Sequence, residues 1–96
     1  MNQTWFVLDT GWWDAKDDAM AHEATKAIQE RIKGAAEEEQ KGLEFLFMND
    51  ASWDQDVIGG YGAQNVRRLR EVARRYDPQR VFQRLVKGGF KLPREG

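Results

Sequence analysis

The sequence contains no cysteine, one histidine and two prolines, and its only serine is Ser52. Without cysteine, disulfides, thiolate metal sites and a cysteine nucleophile are all excluded, and the redox compartment stays open. A Ser/His/Asp arrangement would have to be built from Ser52 and His22, and no spacing brings these two toward a shared carboxylate. His22 therefore reads as an ordinary surface residue, and neither a catalytic residue nor a metal site is predicted. No apolar run approaches the roughly 18 residues that span a bilayer. The opening MNQTWFVLDTGWW lacks a basic segment followed by a long apolar stretch. No membrane segment or signal peptide is predicted, and localisation is left open. The glycines at 59, 60 and 62 are followed by no Gly-Lys-Ser/Thr, so they read as a turn and not a phosphate loop.

What is present is a 96-residue chain in which apolar residues make up 41% and charged residues 32%, the balance of a folded globular chain and not of a disordered one. A chain of this length is expected to form a single domain, residues 1–96, that hides roughly 60–65% of the surface of its unfolded form, so its core should be thin. The net charge of −1 conceals a split. Residues 1–58 carry 5 Lys/Arg against 13 Asp/Glu, whereas residues 59–96 carry 10 against 3. The two halves are electrostatic complements, expected to pack side by side or to pair across a dimer.

Trp5 to Trp12 alternate large apolar and smaller groups and read as a strand ending at a Gly-Trp-Trp-Asp corner. Asp14, Asp17 and Asp18 then supply cap candidates. Ala21, Ala24, Ile28, Ile32 and Ala35 fall on one helical face, predicting a helix from about Asp17 to Gln40. Gly42 is the expected stop. Leu43 to Asn49 reads as a second strand and Asn49 to Gly60 as a polar loop. From Gln64 to Tyr76, Val66, Leu69, Val72, Ala73 and Tyr76 form an apolar stripe among five arginines, an amphipathic basic helix. Asp77-Pro78 is expected to open a short third helix through Val81, Phe82 and Leu85. Gly88-Gly89 ends it, leaving Phe90 to Pro93 as an extended tail. The fold class so predicted is α+β: a partial antiparallel sheet of two main strands plus the tail, covered by one long helix and two C-terminal helices. Two strands are too few for a stable sheet. The pattern therefore calls for further strands from elsewhere in a longer polypeptide, or for a second copy that pairs edges.

Phe47-Met48-Asn49-Asp50-Ala51 places an amide and a carboxylate where an apolar run emerges into a loop. An asparagine offers both donor and acceptor to the edge of a heteroaromatic ring, and an aspartate accepts from a hydroxyl. The plainer alternative is that Asn49 and Asp50 cap a turn. Trp5, Trp12, Trp13 and Trp53 line a pocket or, more simply, fill a thin core. Arg67, Arg68, Arg70, Arg74 and Arg75 surround most of their helix without interleaved exposed aromatics, which argues against a nucleic-acid face.

Tyr61-Gly62, Asn65, Arg68-Leu69, Tyr76-Asp77-Pro78, Val81-Phe82-Gln83 and Gly88-Gly89-Phe90 together resemble the closing (berberine-like) segment of FAD-linked oxidoreductases of the berberine bridge enzyme type, particularly fungal ones. Phe47 to Ala51 is similar to that family's strand-end motif, and Trp12 to Asp18 to the corner before it. The resemblance implies part of a substrate-binding domain lying over a flavin ring, with Asn49 as the flavin contact and Phe47 and Asp50 beside the ring or substrate. It implies FAD as cofactor, a small-molecule substrate, hydride transfer from substrate to flavin with oxygen as acceptor, and a flavin-binding domain as partner. Tyr76, Asp77, Pro78, Phe82 and Phe90 are implied to dock the last helices. The family grips FAD mainly through an N-terminal domain with no counterpart in this sequence, so the chain alone is not expected to enclose or retain a flavin, or to be active. The alternative function is a stand-alone, non-catalytic homodimer that binds a small molecule or serves assembly.

Overall fold

The computed structural model describes residues 2–94. They fall into two compact units that part between Leu43 and Glu44.

The N-terminal unit is organised by one helix. A single 3-10 turn, Ala15–Asp17, leads into α1, Asp18–Glu38. Asp14 caps the turn. Its carboxylate accepts the Lys16 backbone N–H at 3.1 Å and pairs with the Lys16 ammonium at 3.1 Å. The backbone bond, then the side-chain contact, hold its pKa below the ordinary aspartate value. Upstream of the cap, the chain folds back along α1. The Trp12 indole donates to Asp18 Oδ1 at 2.6 Å and stands edge-on to His22 at 5.2 Å, and the Thr10 and Thr25 hydroxyls are hydrogen-bonded at 2.8 Å. Asp18, His22 and Thr25 lie at i, i+4 and i+7, one stripe of the helix, so residues 10–12 run beside its first two turns.

α1 ends in a Schellman motif: the Lys41 N–H reaches the Ala36 carbonyl at 2.8 Å, and the Gln40 N–H the Glu37 carbonyl at 2.9 Å. The left-handed residue is Gln40, φ 54°, two positions before the Gly42 expected to play that part. A residue with a β-carbon is strained there. Gln40→Gly should therefore stabilise α1 by about 0.5–1 kcal/mol, the relief being partly offset by glycine's freer unfolded state. An unchanged thermal midpoint for the helix signal would show that no strain is stored at this turn.

The predicted antiparallel sheet is not there. Among the described residues there is no strand: Trp5 to Trp12 and Leu43 to Asn49 carry no ladder, the second run passing into a 3-10 turn at Met48, and Phe90 to Pro93 form a tail without strand pairing. Alternating apolar residues say which side of an extended run wants burial, but a ladder also needs a partner, and an isolated strand pair is marginal. The long helix consequently covers no sheet. No residue of α1 is buried, and Ile28, in the middle of its apolar stripe, is 52% exposed.

The C-terminal unit holds the chain's buried hydrophobic residues among those described: Val57, at 1% exposure, Ile58 and Val66. Two of the three lie in the stretch read from sequence as a polar loop. Gln55 folds that stretch inward, its side-chain oxygen accepting the Ser52 N–H at 2.8 Å and its carbonyl the Val57 N–H at 3.1 Å. A 3-10 turn, Gly59–Tyr61, then leads through Gly62 into α2, Ala63–Tyr76. Gly62 sits at φ 93°, ψ 149°, a region essentially reserved for glycine. α2 agrees with the sequence expectation to within one residue.

Beyond α2 the expectation fails by a few residues. Asp77 is not followed directly by a helix. Pro78 takes the second position of a turn closed by the Arg80 N–H on the Asp77 carbonyl at 2.9 Å, and α3, Val81–Arg84, starts only after Arg80 at φ 58°. The Asp77 carboxylate still serves this helix, accepting the N–H groups of Val81 at 2.8 Å and Phe82 at 3.0 Å. Among the described residues no helix is long and apolar enough to cross a membrane.

Candidate functional site

The candidate residues Phe47, Asn49 and Asp50 are brought together by one tight turn. Phe47 is in extended conformation, φ −74°, ψ 116°, immediately before a 3-10 turn, Met48–Asp50. Asp50 N–H donates to the Phe47 carbonyl at 3.1 Å, and Ala51 N–H to the Met48 carbonyl at 3.4 Å. The backbone thus closes this turn by itself. Neither the Asn49 amide nor the Asp50 carboxylate makes a side-chain hydrogen bond to a described residue, so capping does not account for them. Both are exposed, and Phe47 between the preceding run and the turn is 44% exposed.

The run that leads into the turn is held in place by the glycine turn. Phe45 stacks on Tyr61 with ring centroids 5.9 Å apart and planes at 29°. The approach is close at the backbone too, since a β-carbon added at Gly60 would lie 2.5 Å from the Glu44 carbonyl oxygen. Gly60 is fixed in turn by its N–H on the Asp56 carbonyl at 3.3 Å, and Gly59 by its N–H on Asp56 Oδ1 at 2.9 Å. Asn65 donates to the Tyr61 carbonyl at 2.8 Å, tying the glycine turn to the first turn of α2. Gly60 and Tyr61, through Glu44 and Phe45, therefore form the mount for the run that leads into the Phe47 to Asp50 turn, and Asn65 braces Tyr61.

Chemically, the turn can present an amide edge, a carboxylate and an aromatic face to a planar heteroaromatic ring. Groups of this kind suit one edge of a heteroaromatic ring such as a flavin, and they do not enclose one. Two shallow surface grooves among the described residues, one lined by Pro78, Arg80, Val81 and Leu85 and the other by Gln64, Arg67, Arg68 and Glu71, do not reach the turn. Among the described residues no group of three His, Asp or Glu is placed to hold a metal ion. Trp12 and His22 meet each other in the N-terminal unit, and Trp53 is exposed.

Sequence reasoning missed Arg70. It looked like one of five interchangeable surface arginines, yet it is half-buried and donates to the Pro93 carbonyl from Nε at 3.2 Å and from Nη2 at 2.7 Å. The available signal was its place on the helix: with Val66 and Ala73 it forms the i, i+4, i+7 row that faces inward.

No known family model matches the chain, and no solved structure matches it. Among curated proteins, the bifunctional solanapyrone synthase of Alternaria solani is 44% identical over 94 residues, which are 94% of this chain and 18% of that protein. An FAD-dependent monooxygenase of Arthrobotrys oligospora is 36% identical over 94 residues, 98% of this chain and 18% of the relative. The FAD-dependent monooxygenase sdcF of Emericella nidulans is 36% identical over 94 residues, 98% of this chain and 19% of the relative. The chain thus spans less than a fifth of the length of each of these relatives, and over nearly all of its own length it is similar to fungal proteins, two of these three being FAD-dependent monooxygenases.

Proposed function

We propose that this chain is the substrate-side, berberine-like segment of an FAD-dependent oxidoreductase of the berberine bridge type, and that it works against a flavin-binding domain. The reading rests on the near full-length similarity to fungal FAD-dependent monooxygenases of which it covers only 18–19%. In that setting Asn49 would contact the edge of the flavin ring, with Phe47 and Asp50 beside the ring or a small-molecule substrate. The flavin, when bound, supplies the two-electron chemistry, a hydride passing from substrate to flavin and the electrons then to oxygen. The chain's own residues position the ring and the substrate.

An exposed row on α2 supports a docking face for that partner. The apolar stripe of α2 is wider than the part its own unit covers. Val66 and Ala73 face inward, while Leu69, Val72 and Tyr76, at i, i+3 and i+7, are 38%, 48% and 75% exposed. Arg68 and Arg75 flank this open row, as their seven-residue spacing requires.

The test is complementation. A fungal relative lacking its matching stretch of about 94 residues should be supplied with this chain and followed by flavin absorbance and substrate-dependent oxygen uptake. Restored turnover, reduced at least tenfold by Asn49→Leu with the two pieces still co-eluting, is the expected result. Co-elution without turnover, or turnover insensitive to Asn49, would remove the flavin contact. A chain that only forms dimers by light scattering, with no affinity for the flavin-binding remainder, would favour the stand-alone dimeric module.

A further inference from the structure

We propose that the C-terminal stretch Lys91 to Arg94 is a hinged strap, and that Arg70 is the latch that holds it closed on α2. Three features carry this. The first is the latch itself: Arg70 places two donors, Nε and Nη2, on the Pro93 carbonyl, and Nη2 also reaches the Arg94 carbonyl at 3.1 Å. A guanidinium presents its donors as a rigid fork, so one side chain grips two successive carbonyls without reorganising. The second is a clasp from α3, where Gln83 Oε1 accepts the Leu92 N–H at 2.8 Å. The third is the hinge. Gly88 and Gly89 both have positive φ, 77° and 69°, and the Lys91 ammonium folds back onto the Gly88 carbonyl.

The strap is built to be gripped through its main chain. Leu92 precedes a proline, which disfavours helical backbone there, and its N–H is taken by Gln83. Pro93 has no N–H to satisfy, so its carbonyl is all that needs a partner. Phe90, Lys91, Leu92 and Pro93 are all half-buried, which an untethered tail would not be. Opening leaves no buried charge stranded, because departure of the strap returns Arg70 to water. The latch can therefore open and close without unfolding α2. Its acceptors are neutral carbonyls, so moderate salt should not release it, unlike a surface ion pair.

The experiment uses the full chain and reads amide hydrogen exchange and trypsin cleavage. Arg70→Ala should speed exchange of the Leu92 amide at least tenfold, and cleavage after Lys91 by a similar factor. The Asp77 amide, bonded to the Ala73 carbonyl at 2.8 Å, should keep its protection because α2 stays folded. Arg70→Lys should recover little, since a single ammonium cannot reproduce the fork. Gln83→Ala, a milder change, should speed exchange of the Leu92 amide yet leave cleavage after Lys91 slow, because Arg70 still grips Pro93 and Arg94; fast cleavage in Gln83→Ala would overturn the latch, which decides the matter if Arg70→Ala does not fold. Leu92 exchanging at the wild-type rate in Arg70→Ala would overturn the latch. So would Leu92 and Asp77 losing protection together in both variants, which would reduce Arg70 and Gln83 to general supports of the fold.

Discussion

Gly60→Ala is expected to destabilise the C-terminal unit by about 2–3 kcal/mol, toward the upper end of what overpacking one methyl group costs. The new β-carbon would lie 2.5 Å from the Glu44 carbonyl oxygen, 3.4 Å from the Glu44 carbonyl carbon and 3.9 Å from the Phe45 Cα. All three are backbone atoms, so no flexible side chain can swing away to make room. Relief requires either lifting the Glu44–Phe45 run off the glycine turn or breaking the turn. The first route separates Phe45 from Tyr61 and carries the Phe47 to Asp50 turn with it. Protection of the Val66 amide, bonded to the Gly62 carbonyl at 3.0 Å, should fall roughly 30-fold or more. In the complementation assay the loss should exceed that from Asn49→Leu, because both the mount and the turn move. Gly11→Ala is the control, as nothing lies within 4 Å of a β-carbon there, and it should stay within about 0.5 kcal/mol. Equal midpoints for the two variants would mean that the Glu44 to Tyr61 approach does not organise the unit.

The two long helices were legible because each keeps an apolar row at a 3.6-residue period over several turns, a signal that survives whatever the helix packs on. α1 and α2 accordingly begin and end within a residue or two of where the pattern puts them. The strands failed for a reason that lies outside any local window. Trp5 to Trp12 and Leu43 to Asn49 have the composition of half-buried extended chain, but pairing depends on what lies alongside. The same limit explains the misread of Val57 and Ile58. Two adjacent apolar residues in a polar stretch show no period, and only the glycine turn after them and Gln55 before them fold them inward.

The candidate site was legible in part. The adjacency of Phe47, Asn49 and Asp50 is visible from spacing alone, whereas their mount, built from Glu44, Phe45, Gly60 and Tyr61, comes from residues more than ten positions apart. At α1's end, Gly42 was the natural expectation, yet the hydrogen bonds of Lys41 and Gln40 place the left-handed residue earlier. Glycine is favoured at such a position without being required there.

Val72→Asp should weaken association with a flavin-binding remainder by roughly a hundredfold or more while leaving the chain's own helicity unchanged. Only half of the α2 stripe is already used by its own unit. Val66 is 6% exposed and belongs to the unit's interior, so a charge there would unfold it. Val72 is 48% exposed and neighbours Leu69 and Tyr76 on the open row, so an aspartate there is solvated in the free chain and costs it little. Docking changes its surroundings. Once the row is covered, an unpaired carboxylate among apolar groups costs several kcal/mol, enough to weaken binding by roughly a hundredfold or more. Tyr76→Ala should cost about 2 kcal/mol by the same route, since a large aromatic that becomes buried on docking commonly contributes much of the binding energy. Arg68→Glu tests the flank. A rim charge acts mainly on the encounter rate, so it should slow association in low salt and leave dissociation nearly unchanged. Association of Val72→Asp at the wild-type affinity would move the docking surface off α2. The bare apolar stripe of α1 around Ile28 would then be the face to probe next, with Ile28→Asp as the matching variant.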